Sequence, residues 1–106
     1  MDYKTIANDG IVEEEIKKSR FICHLKRIIS EEEGREYIAQ IKKEHHKANH
    51  SCSAMIVGDD GQIKRSSDDG EPSGTAGVPM LTVLEKQGLT NVVAVVTRYF
   101  GGIKLG

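Results

Sequence analysis

The spacing of apolar residues divides this 106-residue chain into short strands and helices. Residues 11–29 alternate apolar and polar positions on either side of Lys18-Ser19, a pattern that predicts a β-hairpin. Further strands are predicted over residues 51–57, 62–66 and 91–97. The last of these contains Val92–Val96 without a polar residue. Such a strand is expected in the middle of a sheet or covered on both faces.

Two segments have the spacing of helices. Ser30 and the glutamates that follow it predict a capping box, with Glu33 reaching back to the Ser30 amide. Tyr37, Ile38 and Ile41 then mark one apolar face of a helix over residues 31–46, with Lys43 and Lys47 as solvent-exposed surface. Pro79 suits the first turn of a second helix, for which Gly88 is the expected left-handed end. The expected inward residues of that helix are Val78, Leu81, Val83 and Leu84.

The order strand, strand, helix, strand, strand, helix, strand predicts an α+β fold. We expect a two-layer sandwich, in which a mixed sheet of four to five strands carries two helices on one face. The length fits a single domain over residues 1–106. Because the chain stops in a glycine-rich turn just after a central strand, we expect a C-terminally truncated fragment of a longer protein.

Composition narrows the function classes. Apolar residues make up 38% of the chain, charged residues 29%, and the formal net charge is −1. This balance argues against a non-specific polyanion binder but allows a local basic face. No apolar run approaches the roughly 18 residues of a membrane span, and no signal peptide is evident, so we expect a cytoplasmic protein without membrane contact. Cys23 and Cys52 lie in predicted strands and are expected to be buried, reduced thiols.

The loop before the second helix is the first candidate site. Its residues are Asp68, Asp69, Gly70, Glu71, Pro72, Ser73, Gly74 and Thr75. The glycines could let the backbone approach an anion at the helix N-terminus, but the loop matches neither a P-loop nor a dinucleotide fingerprint. Two interpretations stay open: a ligand or partner surface, or carboxylates that cap turns and pair with Arg98 or Arg65.

Arg98 is the second candidate. It follows a buried strand, where an unpaired charge is costly, so it requires a carboxylate partner or an anionic ligand. Tyr99 offers a ring face for stacking, and the glycines beyond it allow close backbone approach. The predicted surface joins the loop to Arg98, Tyr99, Gly101, Gly102 and Lys104, with Arg20 and Arg65 as a basic extension.

Catalytic and metal sites are weakly indicated. His45, His46, His50 and Cys52 are rich in potential ligands, but His46 and His50 are not expected to share a face, so we predict no zinc site and no cofactor. The sequence contains no recognisable acid and base pair or activated nucleophile. We therefore predict a protein that is not an enzyme; a hydrolase using a divalent metal in the acidic loop is the enzymatic alternative.

The motifs as a group resemble the Impact family. Residues 95–106, Val-Val-Thr-Arg-Tyr-Phe-Gly-Gly-Ile-Lys-Leu-Gly, are similar to its signature, and residues 68–77 are similar to its second hallmark. The resemblance extends to His50-Ser51-Cys52-Ser53-Ala54 and to Ser19-Arg20-Phe21. Bacterial members usually carry an aromatic residue where Ser53 stands, which weakens a stacking role for that strand.

This resemblance implies a fold like domain 2 of ribosomal protein S5, a further helix after Gly106 and, in bacterial relatives, a ferredoxin-like second domain. Their shape suggests an RNA or ribosome partner, and eukaryotic members regulate translation under amino-acid stress. We therefore predict a non-enzymatic binding domain of translation or stress regulation that contacts RNA, the ribosome or a translation-associated protein. The alternative is a protein–protein interaction module without nucleic-acid affinity. If the final helix is missing, an uncovered stripe of sheet would favour oligomers.

Overall fold

All seven predicted elements are present in the computed structural model, which describes residues 5–6, 9–16, 19–68 and 77–99. In chain order they are β1 (Gly10–Ile16), β2 (Ser19–Arg27), α1 (Glu31–Glu44), β3 (His50–Val57), β4 (Ile63–Ser67), α2 (Gly77–Lys86) and β5 (Val92–Tyr99). Most boundaries differ from prediction by one or two residues. The hairpin pairs Ile16 with Ser19, one residue earlier than expected; α1 ends at Glu44; and β5 continues to Tyr99.

The five strands form one sheet in the order β1-β2-β5-β3-β4. This confirms the α+β fold class, but the expected mixed sheet is wrong because every neighbouring pair is antiparallel. The physical reason is the direction of the last strand. The two hairpins, β1-β2 and β3-β4, are antiparallel by construction, and β5 inserts between β2 and β3 running opposite to both.

The central strand β5 is buried on both faces, as its composition predicts. Val92, Val93 and Val95 are fully buried, and Ala94 is 5% exposed. Because successive side chains of a strand point to opposite faces, two separate layers must cover β5. The all-apolar run is therefore the consequence of a sheet with two buried faces.

The helices supply those two layers, one on each face of the sheet. Met55 of β3 packs with Ile41 of α1 in one hydrophobic cluster, whereas its neighbour Ile56 packs with Leu84 of α2 in another. The expectation of two helices on one face is therefore wrong. The reason lies in β3, which like β5 is apolar at consecutive positions and so presents an apolar surface on either side.

Two ion pairs of β4 show the same arrangement. Lys64 Nζ lies 2.7 Å from Glu85 Oε2 of α2, and Arg65 Nε lies 2.9 Å from Glu31 Oε2 of α1. Lys64 and Arg65 are neighbours in a strand, so their side chains extend to opposite faces. Each face of the sheet therefore carries its own helix.

The start of α1 has the predicted capping residues with one altered partner. The Ser30 Oγ accepts a hydrogen bond from the Glu33 amide at 3.1 Å. The Glu33 carboxylate accepts one from the Ile29 amide at 2.8 Å, and not from the Ser30 amide as predicted. The cap fixes the residue at which α1 begins.

In α2 the inward face differs from the prediction. Leu84 is buried and Met80 and Leu81 pack beside it, whereas Val78 and Val83 are 51% and 57% exposed. Positions 80, 81 and 84 form one helical stripe, which leaves the two valines on other sides of the helix. Gly88 has φ +70°, as expected for a left-handed helix end.

Neither cysteine forms a disulfide, and burial raises the pKa of the Cys23 thiol. Cys23 in β2 and Cys52 in β3 both lie opposite Val96, one on each side of β5. Two strand spacings therefore separate them, about 9.5 Å, which is beyond the reach of a disulfide. Within the ranges described, neither helix is long and apolar enough to cross a membrane.

Candidate nucleic-acid interface

Arg98 and Tyr99 lie on opposite faces of the sheet. Because β5 continues to Tyr99, both residues belong to the strand rather than to a turn after it. Consecutive strand residues point in opposite directions, so the two side chains cannot form one flat contact surface. The predicted common surface is therefore divided at the end of β5 into two halves.

The Arg98 half lies on the face of the sheet that carries α2. The Arg98 guanidinium carbon is 5.4 Å from the centre of the Phe21 ring, its cross-strand neighbour in β2. His50 lies opposite Arg98 on the other side, in β3. Arg98 is partly buried, and stacking on an aromatic ring holds the guanidinium plane at the rim of the sheet.

The Tyr99 half lies on the face that carries α1. The Tyr99 hydroxyl is 2.6 Å from Nδ1 of His45, the residue that ends α1. The Arg20 guanidinium carbon lies 5.5 Å from the centre of the Tyr99 ring, and Arg20 Nε donates to Glu13 at 2.8 Å, which raises the pKa of Arg20. Tyr99 of β5 thus contacts β2 through Arg20 and α1 through His45. The Arg20 guanidinium already covers one face of the Tyr99 ring.

Beside this pair lies a buried histidine. His24 of β2 is 2% exposed, and the centre of its ring lies 5.0 Å from that of His45. Burial lowers the pKa of His24, and the nearby His45 ring lowers it further. No atom of the described part of the chain forms a hydrogen bond with either ring nitrogen of His24.

The end of α1 contributes cations that the helical pattern predicts only as solvated surface. Lys43, His46 and Lys47 are exposed, and the Asn49 amide donates to the Arg98 carbonyl at 2.8 Å, which holds this end of α1 beside the end of β5. The available signal is the run Lys-Lys-Glu-His-His-Lys over residues 42–47, because clustered basic residues indicate nucleic-acid patches.

We call the end of the sheet that carries Arg20, Lys43 and Lys47 on its α1 side and Arg98 on its α2 face the basic end. Three carboxylates lie near it: Glu13 accepts from Arg20, Glu15 lies opposite Arg20, and Glu44 accepts from Gln40 at 3.1 Å. The basic end thus groups four basic side chains with these carboxylates in a chain whose formal net charge is −1. Exposed lysine and arginine side chains suit a phosphate backbone.

Arg65 does not join the basic end. It lies opposite Met55, which in turn lies opposite Val93, so it is about six residues, or roughly 20 Å, from the level of Tyr99 along the strands. There it lines a cavity of about 190 Å³ between α1 and β4 and bonds to Glu31, which also accepts from Arg35.

Asp68 has a local structural role. Its carboxylate accepts a hydrogen bond from the Gly77 amide at 2.6 Å, at the first residue of α2, and its carbonyl accepts from the Cys52 thiol at 3.5 Å. This contact matches the interpretation in which the carboxylates cap turns.

The remaining predicted site residues lie outside the described residues: Asp69, Gly70, Glu71, Pro72, Ser73, Gly74, Thr75, Gly101, Gly102 and Lys104.

Metal ligands do not gather in the part of the chain that the structure describes. There, no group of three His, Cys, Asp or Glu side chains is placed to hold an ion. His46 follows α1, whereas His50 begins β3. Of the acidic loop on which the hydrolase alternative depends, Asp68 is described and bonds to the Gly77 amide, whereas Asp69 and Glu71 lie outside the described ranges.

Comparison with known proteins identifies the family. A family model described as the Impact N-terminal domain matches residues 17–106. The chain belongs to the Impact family. The Impact family member YvyE of Bacillus subtilis is 58% identical over 104 residues, which are 98% of this chain and 48% of YvyE. YigZ of Escherichia coli is 48% identical over 97 residues, 90% of this chain and 48% of YigZ.

Solved structures share the fold of this Impact domain. A crystal structure of a hypothetical protein superposes with a TM-score of 0.87 at 46% identity, covering 96% of this chain and 50% of that one. The two-domain translational regulator Yih1 superposes with a TM-score of 0.68 at 27% identity, covering 99% of this chain and 42% of Yih1. The chain thus spans about half the length of YvyE and of YigZ.

Proposed function

We propose that this Impact domain is a non-enzymatic binding domain of translation or stress regulation, and that its basic end contacts RNA, free or in the ribosome. The observation that carries the proposal is the convergence of Arg98, Arg20 and the exposed lysines of α1 at one end of the sheet. Similarity to the translational regulator Yih1 supports a role in translation, and the basic side chains support RNA as the ligand.

In this proposal the two halves of the basic end have different roles. Arg98, stacked on Phe21, presents a guanidinium to phosphate or to a base. Lys43 and Lys47 add phosphate contacts without sequence preference. Tyr99 positions Arg20 and the end of α1 through its ring and hydroxyl. The unassigned candidates in residues 69–76 and 101–104 would extend this surface.

Binding rather than catalysis fits the chemistry of the described thiols. The raised pKa of Cys23 keeps its thiol protonated, and Cys52 is 3% exposed. A nucleophilic cysteine requires the opposite conditions, a lowered pKa and access to solvent.

The first test measures the affinity of a fluorescent single-stranded RNA by anisotropy over a range of salt concentrations. We expect a linear fall of log K with log salt, and a slope that becomes shallower by about 0.7 for each phosphate contact removed. Lys43→Ala/Lys47→Ala and Arg98→Ala should both weaken binding. The matched control is Lys64→Ala/Lys86→Ala, which removes two charges on the β4 and α2 side of the sheet.

Equal losses in the basic-end and control variants would contradict a localised RNA site, as would binding that ignores salt. A pull-down from nuclease-treated and untreated lysate then separates the partner classes. Ribosomal proteins recovered only in untreated lysate, and only with intact Arg98, would support the RNA proposal. A single protein recovered after nuclease treatment would favour the protein-recognition alternative.

A further inference from the structure

His24 is an unexplained feature of the domain. Buried polar side chains nearly always have hydrogen-bond partners. His24 is 2% exposed, yet within the described ranges neither of its ring nitrogens has one. The ring of His45 is close to it, with the two ring centres 5.0 Å apart. A neutral imidazole can remain in this site, but a second proton would have no acceptor there.

The position of His24 connects this buried site with the basic end. His45 caps the C-terminus of α1 and bonds to the Tyr99 hydroxyl at 2.6 Å, while the Arg20 guanidinium lies over the Tyr99 ring. His24, His45 and Tyr99 therefore lie in a row from the sheet interior to the surface. The end of α1 thus contacts β2 through the His24 ring and is hydrogen-bonded to β5 through Tyr99.

Few nearby charges would stabilise a protonated His24. From α1, Glu44 attracts a positive charge on His24, but Glu44 is exposed and bonded to Gln40, while Tyr37 and His45 supply no negative charge near neutral pH. On β5, the titratable side chain on the same face as His24 is Tyr99. From β1, Glu13 is paired with Arg20, and Glu15 is exposed beside it. On its own strand His24 is flanked on the same face by Lys26, a further positive charge.

We propose that His24, His45 and Tyr99 form a proton-sensitive latch: the last turn of α1 stays closed while His24 is neutral, and His24 takes up a proton only when that turn opens. Mild acid thus favours opening at the end of α1 that carries Lys43 and Lys47. That the latch regulates RNA contact rests on the proposed function; the latch itself does not.

Hydrogen exchange of backbone amides, followed by NMR at pH 7.5 and 5.5, tests the latch. If the closed form excludes the proton and the open form binds it with an ordinary histidine pKa near 6.5, the open population rises up to about tenfold over this interval, after correction for intrinsic exchange. We expect this increase for the amides of residues 42–46. The amides of α2, on the opposite face, should change far less.

Two phenylalanine substitutions provide the comparison. His24→Phe keeps a ring in the buried site but cannot be protonated, so the pH effect at residues 42–46 should disappear. His46→Phe removes an exposed histidine at the same helix end and should leave the effect intact. An unchanged pH effect in His24→Phe would overturn the latch, and so would an equal increase across α1 and α2, which would indicate global unfolding instead.

A second measurement does not depend on a variant that folds. Imidazole signals of the wild-type chain should show that the His24 ring stays neutral while exchange at residues 42–46 accelerates. A His24 ring that titrates near pH 6.5 without any change in exchange would overturn the proposal. Added single-stranded RNA should slow the exchange if it binds the closed form. No effect of RNA would count against the proposed function alone, because the latch would still be visible in its pH dependence.

Discussion

At the scale of single residues, close packing around Gly77 fixes the start of α2. A Cβ atom built on Gly77 would lie 2.8 Å from both the nitrogen and the oxygen of the Ser67 backbone. Those atoms belong to β4 and cannot move aside as a flexible side chain could. Together with the hydrogen bond from the Gly77 amide to Asp68, this contact fixes the position of the first residue of α2 beside the end of β4.

Gly77→Ala should therefore lower the free energy of unfolding by roughly 1–3 kcal/mol, the usual cost of overpacking. Urea unfolding followed by circular dichroism measures the change. Gly10→Ala is the matched control, since a Cβ at Gly10 has no atom within 4 Å and should leave stability nearly unchanged. If the two variants are equally stable, the contact between Gly77 and β4 does not constrain the fold.

At the scale of the elements, β4 connects the two helical layers through adjacent residues. Lys64 reaches Glu85 of α2 on one face, and Arg65 reaches Glu31 of α1 on the other. The side chains involved are between 19% and 55% exposed, so each pair should contribute only about 0.2–1 kcal/mol. Their value is diagnostic, because they report which helix lies on which face.

Double-mutant cycles test this arrangement. Lys64→Ala with Glu85→Ala, and Arg65→Ala with Glu31→Ala, should each show a coupling energy of up to about 1 kcal/mol that decreases with added salt. The crossed cycle of Lys64→Ala with Glu31→Ala provides the control and should show no coupling. Coupling in the crossed cycle equal to that in the direct ones would place both helices on one face.

At the scale of the whole molecule, two groups make stability depend on pH in separate ranges. The hydrogen bond from the Arg27 amide, at 2.9 Å, lowers the pKa of Asp9 below its usual 3.8. Burial lowers the pKa of His24 below its usual 6.5. In both cases the unfolded chain binds a proton more readily than the folded one, so stability falls as the pH falls through each range.

We expect the free energy of unfolding to decline as the pH falls below about 6.5 and to decline again below about 4. His24→Phe should remove the first decline, and Asp9→Asn should reduce the second. Urea unfolding across this pH range measures both. A first decline that persists in His24→Phe would assign it to the other histidines.

The sequence by itself determined the seven elements, their order and the α+β class. These depend on local signals, such as the Ser30 cap, the left-handed Gly88 and the unbroken apolar run of β5, which act over a few residues. The family could also be recognised from its motifs. Arg98 could be singled out as a candidate site residue because a cation at the end of a buried strand is unusual.

Only the tertiary structure decided which elements share a surface. Strand direction and the placement of α1 and α2 on opposite faces depend on how the strands pair, and a one-residue shift in register moves every side chain of a strand to the other face. Arg98 and Tyr99 are separated because β5 continues through both of them. The latch of His24, His45 and Tyr99 joins residues up to 75 positions apart in the chain. No local pattern encodes that proximity, because it arises from packing between a helix and strands that are distant in sequence.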